Sequence, residues 1–391
     1  MSSRAAFPRG SICDGFAAER GNALSLSGRL CVSRDLKEFA HTWPRSDNMR
    51  DARGYVFQCA DILEVWLDTI GRARNTEPFF VLIKNEHNEP WLALALGIER
   101  RSGVRVLTFL DGGVSDYNAP LLLSPRTSTS FLRLDDLVHG LRGFISTFDA
   151  ALLEKMPAKI LDCENPFVQP KLRAGSVSGH VMTLTGTWEE YRSKRNGKRQ
   201  RKRKSKLEQA GCAVFTIAED SDSRDRILDA MISQKSRRYI ETRGWDGFDR
   251  PGYRRYFPQM TERLGSTIHV SALQLDGRII ATNWGMVSDK RFYILMPSFD
   301  KEWEALSPGR LLTEHLIEWS YRNGLTSMDF GAGDQTYKMK YCDTTVPLFR
   351  TIIPINPIGA AYRSALHCKK VLRGTRIGGW LGAQTSRSSW S

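Results

Sequence analysis

Paired cysteines are missing from this chain of 391 residues. Its seven (Cys13, Cys31, Cys59, Cys163, Cys212, Cys342 and Cys368) are scattered, odd in number and never in a CxxC pair. That argues against a disulfide framework and against a zinc site, and for a reducing cytoplasm. The seven histidines form no HExxH, so no metal centre is expected. There is no GxxxxGK[ST] and no GxSxG, which removes a P-loop and a hydrolase nucleophile elbow. Gly331-Ala332-Gly333 is no dinucleotide fingerprint, because Thr336 stands where a third glycine would be needed. No apolar run is long enough to span a bilayer, and residues 1–30 lack the apolar stretch of a signal peptide.

What the chain does have is positive charge. The net charge is +14, and Arg192–Lys206 (RSKRNGKRQRKRKSK) holds ten basic residues and no acidic one. Without that run the remainder carries 14 − 10 = +4, so the basicity is one local feature. Such a run is a solvated helix face, a docking surface for a polyanion, or the wall of a cleft for an anionic substrate. Hydrophobic content of 41% and charged content of 26% are those of a globular protein long enough for two domains.

Along the chain, residues 1–30 show no periodicity and read as a disordered lead-in. Leu30–Trp43 reads as a strand and a short helix, and Phe57–Ile70 as a helix with Ile62, Trp66 and Ile70 four residues apart. A three-stranded meander follows over 79–110, then a helix over Asp135–Leu153 and a short strand at Lys159–Asp162. The second half is expected to be helical over Trp188–Ala210, Ser223–Glu241 and Tyr253–Leu264, with strands at Ile268–Gln274, Ile279–Val287 and Arg291–Met296. Asp276-Gly277 marks a tight hairpin between the first two. FFVLIKNEHNEPWLALALGIERRSGVRVLTFLD and IHVSALQLDGRIIATNWGMVSDKRFYILMPSFD share the order strand, turn, strand, turn, strand, and both end at an aspartate. The reading is two similar α/β units, 31–178 and 181–356, with a flexible basic tail over 366–391.

The chain is organised around Arg291–Tyr341, read as strand, loop, helix, strand and polar loop. Pro297 cannot donate to a ladder, so pairing should splay there. Ser307 is placed at the helix N-cap, Pro308 in its first turn and Gly324 just past its end. Free amides at that N-terminus suit an anion; an ordinary β-α-β crossover is the alternative. Asp329, Asp334, Tyr337 and Lys338 cluster at the C-terminal end of a strand, where open α/β sheets hold ligands. They can supply a base, an acid and an anion contact, or can simply tie down a loop.

Lys194-Arg195, Arg199, Arg203, Leu207, Gly211, Gly277, Ser298-Phe299-Asp300, Ser307-Pro308-Gly309, Asp329-Phe330-Gly331, Gly333 and Tyr337-Lys338 occur in an order that resembles the GNAT-superfamily acetyltransferases of the CelD type. Those proteins are linked by name to cellulose and exopolysaccharide production. The resemblance covers about 185–345 best, and the layout is also similar to the Fem-type peptidoglycan aminoacyl transferases, which pair two GNAT-like units. It implies an α/β fold of tandem GNAT-like (acyl-CoA N-acyltransferase) units, each a mixed, mainly antiparallel sheet flanked by helices. It further implies acyl transfer from acetyl-CoA or another acyl-CoA, without a metal, to an amine or hydroxyl of a small-molecule or saccharide acceptor.

In such a fold the splayed strands receive the pantetheine. Ser307, Pro308, Gly309, Arg310 and Leu311 face the pyrophosphate, Tyr337 protonates the thiolate, and Asp334 and Asp300 serve as base or orient the acceptor. Lys338, Arg195, Arg199 and Asp329 are the expected substrate contacts. This chain offers only Leu306-Ser307-Pro308-Gly309-Arg310 where the usual loop reads R/Q-x-x-G-x-G/A. An aminoacyl-tRNA donor held at Arg192–Lys206 is therefore the second reading, and a non-catalytic polyanion-docking module the third.

Overall fold

A computed structural model describes residues 29–49, 52–124, 132–145, 147–169, 172, 174–195 and 197–374. The lead-in expected over 1–30 lies outside the described residues apart from its last two, and so does the tail beyond 374.

The first half comprises β1 (Leu30–Ser33), α1 (Ala60–Trp66), β2 (Glu77–Lys84), β3 (Pro90–Arg101), β4 (Val104–Phe109), β5 (Leu121–Leu122), α2 (Leu134–Leu141) and β6 (Ala150–Pro157). A small hairpin, β7 (Lys159–Ile160) with β8 (Cys163–Glu164), leads to β9 (Ala174–Thr183). The second half comprises α3 (Trp188–Arg195), α4 (Lys198–Ala210), β10 (Ala213–Ile217), α5 (Ser221–Arg243), α6 (Tyr253–Arg263), β11 (Ile268–Leu275), β12 (Arg278–Ser288), β13 (Arg291–Ile294) and β14 (Ser298–Phe299). Then come α7 (Pro308–Arg322), β15 (Ser327–Ala332), β16 (Thr344–Pro354) and α8 (Pro357–Gly374). Residues 366–374, expected in a tail, are thus helical.

All strands but the β7–β8 hairpin form one sheet in the order β1-β2-β3-β4-β6-β16-β9-β15-β13-β12-β11-β10, with β5 beside β3 and β14 beside β12. Its pairing is antiparallel except at two places, β4 with β6 and β13 with β15. Each parallel pair closes a strand-turn-strand-turn-strand unit through a helical crossover, as a parallel connection requires. The repeat read from element order is therefore a repeat of topology, and the fold is mixed α/β with a mostly antiparallel sheet flanked by helices. Asp276 and Gly277 have φ of 47° and 80°, the double left-handed turn that a two-residue hairpin needs.

The two units interlock at the middle of the sheet. β9 follows the first unit in sequence but pairs with β15 of the second, while β16 follows the second and pairs with β6 of the first. The boundary expected between 178 and 181 falls inside β9. Pro347 within β16 sits at a register shift, where a proline can occupy a sheet interior.

Three expectations change. The helix expected over Asp135–Leu153 ends at Leu141, and Ala150–Pro157 is a strand. Ala150–Leu153 is buried without alternation because both faces of β6 are covered, and such a run has no strand period to read. Trp188–Ala210 is two helices rather than one, with Gly197 as the N-cap of the second. Ser307 stands at the N-cap of α7 but in the left-handed region (φ 57°, ψ 48°), and its side chain caps nothing. Pro308 at the first helical position and Gly324 with φ 65° after the last turn agree with expectation.

Candidate functional site: an opening in the second unit and a basic cleft beside it

The second unit's sheet opens after a short parallel contact. β13 pairs with β15 at Arg291↔Ser327, Phe292↔Met328 and Tyr293↔Asp329, and there the contact ends. β13 and its continuation stay with β12: Gly285 faces Ile294, and Thr282 faces Ser298. Three residues, Leu295 to Pro297, thus oppose Asn283 and Trp284, a bulge held by the Met296 amide on the Trp284 carbonyl at 2.9 Å. β15 runs on to Ala332 along β9. The separation from β15 thus begins after Tyr293, four residues before Pro297, and at Pro297 itself it is the ladder with β12 that is interrupted; α7 packs on β11, β12, β14 and β15.

At the base of the opening lies the fully buried Asp329. Its Oδ1 accepts from the Tyr117 hydroxyl at 2.7 Å and the Gly331 amide at 2.9 Å, and its Oδ2 from the Arg291 guanidinium at 3.2 Å. Burial pushes its carboxyl above the usual range, against the pull of Arg291 and Tyr117. Lys338 is buried too, and its Nζ donates to the Gly331 and Ala332 carbonyls at 3.1 and 3.0 Å. Burial holds its amine below the ordinary lysine value.

The residues expected to do the chemistry are not gathered in one place. Tyr337 is buried edge-on to Phe330 at 6.3 Å in the core under α7, and burial raises its phenol. Asp334 turns to β9, where it meets the Ser178 amide at 3.3 Å and His180 Nε2 at 3.2 Å. Asp300 caps the turn before α7 through the Glu302 amide at 3.2 Å and pairs with Arg237 of α5. Only Asp329 and Lys338 of that set share the opening.

The amides assigned to a pyrophosphate are mostly engaged. The Ser307 amide donates to the Glu304 carbonyl, those of Arg310 and Leu311 donate to the Ser307 carbonyl, and Pro308 has none. Capacity for an anion lies in side chains instead. A cleft of about 260 Å³ between α3, α4 and the first turns of α7 is lined by Arg192, Arg195, Arg203, Arg310 and Lys340, with Glu314 as its one carboxylate among the described residues. Its apolar wall is Trp188, Tyr191 and Tyr341. The Arg195 guanidinium lies 5.4 Å from both the Tyr191 and Tyr341 ring centres. Trp188 and Tyr191 also pack on Tyr321, which docks the basic helices onto α7. Burial raises the Glu314 carboxyl against three nearby arginines. The Arg199 side chain lies outside the described residues.

The sequence reading missed Glu314, Lys340, Tyr341 and the aromatic pair of α3. It also passed over Asp116-Tyr117, a polar loop in the first unit whose partner Asp329 is 212 residues away.

Residues 192–339 match a family model described as an acetyltransferase (GNAT) domain. That match takes in Asp329, Lys338 and the cleft's arginines, while Trp188, Tyr191, Lys340 and Tyr341 of the cleft lie just outside it. Solved structures similar to the chain include three that span most of it. The crystal structure of FemX aligns with a TM-score of 0.50 and 9% identity over 77% of this chain and 93% of that one. The C-terminal domain of a putative lysylphosphatidylglycerol synthetase from Agrobacterium fabrum gives 0.47 and 16% over 80% and 98%. A tandem GNAT protein from the clavulanic acid biosynthesis pathway gives 0.41 and 11% over 81% and 92%. At 9% identity the likeness to FemX is one of fold alone. No curated protein matches the sequence. Among the described residues no group of three or more His, Cys, Asp or Glu side chains could hold a metal ion, and no helix is long and apolar enough to cross a membrane.

Proposed function

We propose that the chain is an acyltransferase that moves an acetyl or other acyl group from acyl-CoA to an amine or hydroxyl. The observation that carries this reading is the opening between β14 and β15, lying beside a basic, aromatic-walled cleft at the start of α7. The pantetheine arm enters the opening. The phosphates lie among Arg195, Arg203, Arg310 and Lys340, and the adenine against Tyr191 and Tyr341. The GNAT match over 192–339 supports the donor, and the CelD resemblance supports a saccharide acceptor in exopolysaccharide production in the cytoplasm. Tyr337, buried beneath α7, acts as a packing residue in this reading rather than as the acid.

Acetyl-CoA is expected to raise the melting temperature, by an amount that grows with the logarithm of its concentration above Kd. Gly309→Glu, which puts charge and bulk at the first turn of α7, should remove the shift. No shift at millimolar acetyl-CoA would sink the donor assignment.

The basic helices favour one second reading, an aminoacyl-tRNA donor, because part of the run lines the cleft while the rest faces outward. Binding of a tRNA would weaken steeply between roughly 50 and 200 mM salt as phosphate counterions are released. Salt-independent binding, or none at low salt, removes that option.

A further inference from the structure

The loop between β4 and β5 belongs to the first unit, yet Asp116 and Tyr117 end in the second unit's opening. A Cβ at Gly331 would collide with Asp116 Oδ2, and Gly331 has φ 69°, so the approach of this carboxylate requires glycine there. The Ala332 amide donates to the same carboxylate. The Gly333 amide bonds to Ser178 of β9, so by strand alternation the Ala332 N–H and C=O point to the other edge, the one β13 leaves after Tyr293. Asp116 takes that N–H and Lys338 takes that carbonyl. The free edge of β15 thus carries a carboxylate and an amine side by side, and the carboxylate is supplied by the other unit.

Every charged neighbour bears on what Asp116 can do. Asp329 on β15, Lys155 on β6, Lys338 and the core residue Tyr337 after β15, Lys235 on α5 and Tyr117 on its own loop are all within electrostatic reach of it. Burial pushes the Asp116 carboxyl up to about 6, with Lys155 and Lys338 pulling the other way. Burial, with Arg238 and Lys338 nearby, brings Lys235 down to about 7. A carboxylate ionised at neutral pH but stronger as a base than a surface aspartate suits proton removal from an acceptor.

We infer that Asp116 is the general base of the transfer, delivered by the first unit into the second unit's opening, and that the acceptor is a primary amine arriving as an ammonium ion. This rests on the acyl-CoA reading above. The ammonium gives up two protons on the way to the amide: one passes to Asp116 and on to solvent, and the other ends on the leaving sulfur. The electron pair freed on nitrogen forms the C–N bond as the C–S bond breaks.

The test measures CoA release from acetyl-CoA with two small nucleophiles, ethanolamine and hydroxylamine. Ethanolamine is an ammonium at neutral pH and needs a base, whereas hydroxylamine is already largely free base. For Asp116→Asn we expect kcat with ethanolamine to fall by about 100-fold or more, with KM for acetyl-CoA unchanged. The acid limb near pH 6 should vanish, hydroxylamine should restore turnover, and Asp116→Glu should recover part of it. Equal losses with both nucleophiles, or an acid limb that survives, would overturn the assignment.

Should the wild type release CoA with neither nucleophile, the melting shift with acetyl-CoA decides the donor reading separately, and Asp116 is judged by a second arm. Its folded-state value lies above that of the unfolded chain, so its contribution to stability is present at low pH and is lost as pH rises through about 6. Asp116→Asn should then gain melting temperature relative to wild type above pH 6 and lose that gain below pH 4. A difference that does not change with pH overturns the assignment.

Discussion

Arg310→Glu combined with Lys340→Glu should abolish measurable acetyl-CoA binding while leaving the fold intact. Both side chains line the cleft, Arg310 half-buried on the first turns of α7 and Lys340 exposed on the short turn after β15. A hydrogen bond to a charged group contributes about 1.5–3 kcal/mol, so losing two costs roughly 3–6 kcal/mol. That weakens Kd by about 100-fold to more than 10,000-fold, before the added repulsion of two new carboxylates is counted. Arg201→Glu is the matched control. Arg201 belongs to the same basic run, but it lies two residues from Arg203 and so on another face of α4. Titration calorimetry of the three proteins separates a built cleft from a diffuse basic field. A diffuse field would make Arg201→Glu as damaging as either cleft substitution.

Asp329→Ala should be the most destabilising single change in the opening. The carboxylate joins Arg291 of β13, Tyr117 of the first unit and the Gly331 amide, with no access to water. Removing it leaves the guanidinium partly buried without its counter-charge and the Tyr117 hydroxyl unpaired, at a cost of about 3–5 kcal/mol. A domain has only about 5–15 kcal/mol of net stability, so a large share is lost. Urea unfolding followed by tryptophan fluorescence measures it. A loss below about 1 kcal/mol would mean that Asp329 is not the tie between the units. Arg291→Met with Asp329→Leu, which removes charge from both sides, should recover part of the loss.

Much of the second unit was legible because its elements obey simple periods. Leu312 and Leu316 fall on one face of α7, Asp276-Gly277 fits the turn it makes, and Pro297 stands in the bulge that interrupts the ladder with β12. β6 was hidden because a strand covered on both faces loses its alternation. β16 was hidden because Pro347, which usually marks a strand edge, lies here at a bulge in the sheet's middle. Ser307 has the right residue type for an N-cap, but its backbone turns left-handed and its carbonyl, not its hydroxyl, serves the first turn.

The site was half legible for a related reason. Charge runs and strand ends are local features, so the basic run and Asp329 with Lys338 could be picked out. Which face of α4 meets α7, and which loop of the first unit reaches Gly331, depend on tertiary contacts between distant stretches of chain. Asp334, Tyr337 and Lys338 are neighbours in sequence but point respectively to β9, to the core and to the opening, because the chain turns sharply between them.

The account's central claim is that an acyl-CoA donor occupies the cleft and the opening together. A crystal of the protein soaked with acetyl-CoA tests it most directly. The account predicts the thioester between β14 and the end of β15, within reach of Asp116, with the phosphates among Arg195, Arg203, Arg310 and Lys340. Density for the ligand anywhere else, or none after a millimolar soak, would contradict it.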